Sequence, residues 1–330
     1  MDKTASAGAA AFGFHVLHLD AAAEAGRIEA MIRETLKRFK RRGVVVAVSG
    51  GIDSSVVLAL SVRAVGSQRV CALMLPEQDS APDTWRLSRK AAAAFGVTPI
   101  EEDITEVLRA LGCYRRRDEA VQATVPEYRP GDKLKIVLPS VVDTEQLRVF
   151  SVITEDSRGV RREARLSAQA YLGIVAASNF KQRVRKTLEY YYADKFNYAV
   201  AGTPNKLEFD QGFFVKNGDG SADLKPIAHL FKTQVYQLAD YIGVPAEIVQ
   251  RPPTTDTYSM PQSQQEFYFS LPYHAMDLCL YARDHGIDSS AVATAVGLTN
   301  TQVERVFRDI DQKRRTTAYL HTAPVTVVPR

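Results

Sequence analysis

The sequence predicts an α/β fold: a doubly wound parallel sheet carrying a β-rich insert and a helical C-terminal tail. Three observations lead there. Continuous apolar runs at 44–48, 69–75 and 197–203 read as strands buried on both faces. Segments of helical period separate the early strands. Strand and helix alternate at the spacing that right-handed crossovers need. Of the 330 residues, 45% are apolar and 24% charged, so a folded core is affordable.

Taken in order, residues 1–20 read as a flexible arm. Apolar positions Ile28, Met31, Ile32, Leu36 and Phe39 recur at helical spacing over 21–40. The strand at 44–48 is followed by a helix from Asp53 to Ala64, a strand at 69–75, a helix at 83–95 and a strand at 97–103. Between about 113 and 164 helical period fades; "KLKIVLPS" and "RVFSVIT" are β-rich and "EDSRGV" reads as a turn, so the segment reads as an inserted hairpin or flap. Helices are expected at 165–177 and 180–193, then a strand at 197–203. The helix at 231–243 is closed by Gly243 and Pro245. A Pro-, Thr-, Ser- and Gln-rich loop fills 252–265, and helices at about 272–285, 289–296 and 300–313 form the tail. The α/β domain thus spans 21–260, with 261–330 packed on it as a helical extension.

The bulk numbers exclude several classes. A net charge of +4, from 42 basic and 38 acidic residues, is too small for a nucleic-acid coat but allows local basic pockets. Cys71, Cys113 and Cys279 form no CxxC pair, which disfavours a disulfide framework or zinc site and suits a reducing cytoplasm. The N-terminus is a poor signal peptide, and no apolar run approaches the roughly 20 residues of a membrane span.

"VVVAVSGGIDSSVVLAL" (44–60) carries the chemistry. A strand, a glycine turn and a helix start make an anion site, because the first amides of a helix lack internal partners. Gly50 and Gly51 let a phosphate approach the backbone; Ser49, Ser54 and Ser55 offer hydroxyls. Asp53 is an anion and suits a Mg²⁺ ion that also binds phosphate oxygens. Neither GxxxxGK[ST] nor GxGxxG is present, so Walker-type and dinucleotide-binding sites are disfavoured. Ser49–Ser54, Pro76–Asp79 and Thr203 all follow parallel strands, where such sheets bind ligands.

SGGxDS after a buried strand resembles the pyrophosphate loop of the ATP pyrophosphatase superfamily, whose Rossmann-like fold is of the adenine nucleotide alpha hydrolase type. "AGTPNKLEFDQGFFVKNGDGSADLKPIAHLFKTQV" (201–235) resembles the central signature of NAD synthetases. The resemblance implies an amide ligase that adenylates the carboxylate of deamido-NAD with ATP, then amidates it with ammonia. It implies ATP contacts at Ser49, Gly50, Gly51, Ile52, Asp53, Ser54, Ser55, Thr203, Lys232, Thr254 and Lys313. It implies Asp53 and Lys232 as catalytic groups, and Asp53 and Glu208 as Mg²⁺ ligands. Arg183, in the N-x-K-x-R of Asn179, Lys181 and Arg183, is implied to hold deamido-NAD together with Lys216 and Asp223. Lys313 and Arg314 resemble a pair that closes over ATP. A homodimer is the family expectation. No glutaminase domain is expected before the first strand, leaving free ammonia or a separate glutaminase partner.

The resemblance thins at the lid. Thr255, Gln264 and Gln265 replace an alanine and acids, Gln312 replaces a histidine, and 113–164 has no counterpart. A paralogue amidating another carboxylate therefore stays open, as does a nucleoside-thiolating relative. "DSSAVATAVGLTNTQVERVF" (288–307) has the outline of a helix-turn-helix, a DNA-binding alternative that its sparse basic face disfavours.

Overall fold

The computed structural model describes residues 12–142, 149–254 and 257–327. Four parallel strands form its central sheet: β1 (Val44–Ala47), β2 (Val70–Met74), β3 (Ile100–Glu101) and, after the insert, β7 (Ala199–Ala201). Their order is β3-β2-β1-β7, so β1 is the switch point, with β2 on one side and β7 on the other. Alternation along β1 sends Val44 and Val46 to one hydrophobic cluster and Val45 to another.

The first cluster is covered by α1 (Ala21–Phe39), α2 (Ile52–Val65), α3 (Asp83–Ala94) and, later in the chain, α8 (Lys232–Ile242). The second is covered by α4 (Thr105–Ala110), α5 (Cys113–Gln122) and α6 (Ala168–Phe196). Helices on both faces make the expected doubly wound sheet. Asp20 caps α1, accepting from Ala23 N at 3.0 Å, and Gly243 ends α8 in the left-handed region at φ 80°.

Four expectations need correction. Residues 12–20 are not a loose arm, although 1–11 lie outside the described residues. Phe14–Leu17 form a 3₁₀ turn, Leu17 is buried, and Gln237 clasps it, accepting from Leu19 N and donating to Leu17 O, both at 2.9 Å. The segment from 113 opens with helix α5, whose period is masked because Arg117 and Asp118 are buried as an ion pair. The two helices expected at 165–177 and 180–193 are one, α6, of 29 residues.

The insert is a three-stranded antiparallel sheet rather than a hairpin. β4 (Lys133–Val137) pairs with β5 (Ser151–Glu155), and β5 with β6 (Arg161–Arg165). The expected turn joins β5 to β6, with Gly159 at φ +79° and Asp156 accepting from Arg158 N and Val160 N. Leu134, Ile136 and Val152 pack on Val121 of α5 and Ile174 of α6.

After β7 come α7 (Lys206–Asp210), α8, α9 (Ala246–Gln250) and a π-helical turn at Gln265–Phe269. The tail helices α10 (Tyr273–His285), α11 (Ser289–Val296) and α12 (Asn300–Thr317) share a cluster with Leu207 and Phe231.

Candidate functional site

A cavity of about 1350 Å³ opens at the carboxyl ends of the parallel strands. Ser49, Gly51, Ile52, Asp53 and Ser54 line it beyond β1, and Thr203 and Pro204 beyond β7. The two edges of the switch point therefore face one space.

The loop after β1 is held by its own hydroxyls. Ser54 Oγ accepts from Ser49 N at 3.2 Å and donates to Gly51 O at 3.0 Å; Ser55 Oγ donates to the same carbonyl at 2.8 Å. Gly51 is the N-cap of α2 and no side chain caps that helix, so its first amides stay available to an anion. The glycines divide their labour. Gly50 sits at φ +72°, and a Cβ there would lie 2.7 Å from Leu87 Cβ of α3, so it serves the turn and the packing. Gly51 borders the cavity, where a Cβ would meet nothing closer than Ser49 Oγ at 3.4 Å. Ser55 is fully buried and turned away from the cavity.

Asp53 reaches Lys232, the first residue of α8, in a direct ion pair. The lysine side chain is 0% exposed and the carboxylate 17%, so the acid is the accessible partner. Burial works against the charge on Lys232, but Asp53 and Glu208 outweigh it and hold its pKa above the ordinary value. Asn205 joins the two acids: its Nδ2 donates to Asp53 Oδ1 at 3.1 Å and its backbone N to Glu208 Oε2 at 3.2 Å. Glu208 also accepts from Gln264 Nε2 at 3.1 Å. Burial, with the Asp53 charge beside it, pushes Glu208 up to about 7. Among the described residues no group of three or more His, Cys, Asp or Glu side chains converges on a metal position. Two carboxylates beside a phosphate-binding turn fit Mg²⁺, which takes one or two carboxylates and fills its remaining positions with phosphate oxygens and water.

The other expected residues divide. Thr254 and Lys313 line the cavity, and Lys313 Nζ donates to Tyr268 O at 2.6 Å. Asn179 and Lys181 line it as well. Arg183, Lys216 and Asp223 do not. Arg183 Nε donates to Lys216 O at 3.3 Å, and Lys216 Nζ to Tyr319 O and Thr322 O, tying the C-terminal turn to the rim. Asp223 accepts from Val200 N at 2.7 Å and closes the end of β7. Arg314 forms a two-pronged pair with Asp210 away from the cavity. Thr255 lies outside the described residues.

Sequence inspection missed several groups. Asp219, four residues before Asp223, lines the cavity with Arg185, Lys186 and Glu189 of α6. Asp277 of α10 caps α8, accepting from Lys232 N at 3.2 Å and Thr233 N at 2.7 Å. Of the turn after β2, Pro76 faces the cavity, whereas Glu77 and Asp79 enter a buried network with Lys181 and Arg117. The helix-turn-helix outline is α11 and α12, and Arg305 and Arg308 of α12 line the cavity wall. The helix a DNA reader would place in the groove is turned toward the cavity instead.

The model of the NAD synthase family matches residues 24–126 and 151–318. The chain belongs to the NAD synthase family. It is 55% identical over 314 residues to an NH(3)-dependent NAD(+) synthetase of Mesorhizobium japonicum, covering 95% of this chain and 98% of that one. It is 52% identical over 318 residues to the enzyme of the same name from Rhizobium meliloti, covering 96% and 95%. Among solved structures, an NH3-dependent NAD synthetase from Campylobacter jejuni superposes with a TM-score of 0.62 at 20% identity, over 94% of this chain and all of that one. The structural match agrees with the doubly wound fold described above. Residues 127–150 fall between the two matched blocks of the family. No described helix is long and apolar enough to cross a membrane.

Proposed function

We propose that this protein is an ammonia-dependent NAD synthetase: it adenylates the carboxylate of deamido-NAD with ATP, releasing pyrophosphate, then amidates it to give NAD and AMP. One observation carries the reading: the uncapped start of α2, Asp53 and Glu208 line one cavity at the switch point of the sheet, with the buried Lys232 paired to Asp53 behind its wall.

The α2 amides from Ile52 onward, with Ser49 beside them, grip the outgoing phosphates, and Lys232 supplies a fixed positive charge behind Asp53. Asp53 and Glu208 hold Mg²⁺. When bound, that ion neutralises phosphate oxygens as charge builds at the α-phosphorus. Thr203, Thr254 and Lys313 border the nucleotide. Arg185, Lys186 and Asp219 present charged groups for the dinucleotide, while Arg183 and Lys216 act from the rim through the C-terminal turn they hold. Asp223 supports the strand end beside them. Free ammonia is the amine donor, and the functional unit is a homodimer in the cytoplasm.

The test is direct. Purified protein with ATP, Mg²⁺, ammonium and deamido-NAD is expected to give NAD, AMP and pyrophosphate in equal amounts. Pyrophosphate without NAD would point to a different carboxylate acceptor, and ADP would contradict the assignment. Sedimentation velocity at assay concentration checks the dimer.

A further inference from the structure

The segment unmatched by the family model contains β4 and the turn after it. β4 is an edge strand, yet its outer side is occupied. Met260 N donates to Leu134 O at 3.0 Å, Leu134 N to Ser259 Oγ at 2.9 Å, and Gln262 Nε2 to Ile136 O at 2.6 Å. Tyr258 is buried in the same cluster as Leu134 and Ile136. Lys181, itself 1% exposed, donates to Thr257 O at 2.9 Å. The 257–264 loop is thus fastened to the insert along most of its length.

Its far end is fastened to the reaction centre. Gln264 Nε2 donates to Glu208 Oε1 at 3.1 Å, and Gln264 Oε1 accepts from Tyr273 OH at 2.7 Å. The turn after β4 also supplies wall: Leu138 and Val141 line the cavity with Phe150 and Tyr171, whose rings stack at 4.2 Å. One short segment therefore spans from the insert to a carboxylate of the metal site.

We propose that residues 133–142 anchor the 257–264 loop across the cavity, with Gln264 as a positioning residue for Glu208, and so keep water from the acyl-adenylate until ammonia takes it. The inference rests on the activity proposed above. In the productive step ammonia attacks the acyl carbon, the bond from that carbon to the AMP oxygen breaks, AMP leaves with the electron pair, and one proton is released. Water attacking the same carbon restores the carboxylate and frees AMP, so ATP is consumed without NAD. Both nucleophiles are small and neutral, so shape cannot separate them. The number of waters admitted can, and a roof fixed at both ends limits it.

The test uses the full chain and a Ser259→Ala/Gln262→Leu double variant, which cuts the loop from β4 at two side chains that do not line the cavity. AMP and NAD are measured in the same reaction at low ammonium. The unmodified protein is expected to release one AMP per NAD. The variant is expected to release about threefold more AMP per NAD, falling back toward one as ammonium is raised, with pyrophosphate release within about twofold of normal. A ratio that stays at one in the variant overturns the proposal. Gln264→Leu frees the loop at its other end. It is expected to raise the same ratio and the Mg²⁺ concentration needed for half-maximal rate; a merely structural role would lower both products together. Hydrogen exchange on the unmodified protein supplies an arm independent of activity. The Met260 amide is expected to be protected, and exchange at the rate of an unfolded peptide would remove the anchor. If the unmodified protein makes no NAD, the assigned activity fails, while the exchange arm still judges the anchor.

Discussion

Two of the buried ionic clusters among the described residues are built to different ends. Asp53, Glu208 and Lys232 meet at the cavity. Glu77, Asp79, Arg117, Asp118 and Lys181 meet where the insert joins the sheet. In the second cluster each acid is answered. Burial works against the Asp79 charge, but Lys181 and Arg117 outweigh it and hold the carboxyl below the usual carboxylate range. Tyr114 OH donates to Glu77 and Tyr128 OH to Asp118, completing the set. In the first, among the described residues Glu208 receives side-chain hydrogen bonds from the neutral groups Asn205 N and Gln264, and burial beside Asp53 pushes its pKa up to about 7. The lone lysine is committed to Asp53. One cluster is closed and holds the insert to the sheet. The other is short of positive charge, which a bound cation would supply.

Breaking each cluster separates these roles. The largest effect is expected from Asp53→Asn, which keeps the hydrogen bond from Asn205 but removes the charge. Pyrophosphate formation should fall about 10³-fold in protein that is still folded, since catalysis of this kind is mostly electrostatic, while the melting temperature drops because the buried Lys232 loses its counter-ion. ATP–pyrophosphate exchange measures it, and retained turnover would remove Asp53 from the mechanism.

Arg117→Met acts on the closed cluster. It leaves Asp79 and Asp118 buried with less compensation, a change that costs about 3–5 kcal/mol. Urea unfolding reads it, and a loss under about 1 kcal/mol would mean that the cluster is not the joint described here.

Glu208 gives a pH signature of intermediate size. Its carboxyl titrates near 7 in the folded chain against an ordinary 4.5. Between those values the folded chain keeps a proton the unfolded chain has lost, so stability of the metal-free protein should fall as pH rises through that window. Mg²⁺ competes with the same proton, so its stabilising effect should grow over the same range. Melting curves with and without Mg²⁺ on either side of pH 7 check both trends, and Glu208→Gln should flatten them.

The smallest effect is expected from Asp277→Ala. It uncaps α8 and costs about 1 kcal/mol, with a modest rise in KM for ATP as Lys232 loosens. A KM unchanged within error would limit Asp277 to stability.

The two clusters also differ in how far the sequence exposes them. The phosphate loop was legible because its parts are local: a β-branched run, two glycines and a helix start within a dozen positions. Asp53 is read as a Mg²⁺ ligand from its place in that loop and Glu208 through motif resemblance, and the structure brings them together through Asn205. The closed cluster was not legible. Lys181 finds Glu77 and Asp79 more than a hundred positions upstream, at separations of 104 and 102. That same pairing hid α5, because burying Arg117 and Asp118 breaks the apolar period a helix is recognised by. The expected break in α6 fell at the polar Ser178 and Asn179, which continue the helix, Ser178 Oγ donating back to Ile174 O at 2.8 Å. The caps at Asp277 and the clasp at Gln237 failed to announce themselves for the same reason: their partners lie far away in sequence.

The central claim is that the cavity adenylates a carboxylate at the α-phosphorus of ATP. Deamido-NAD carrying heavy oxygen in its nicotinate carboxylate tests it directly, with the label followed by mass spectrometry after turnover with ATP, Mg²⁺ and ammonium. One labelled oxygen is expected in the phosphate of AMP. Label in pyrophosphate or inorganic phosphate, or AMP without label, would contradict it.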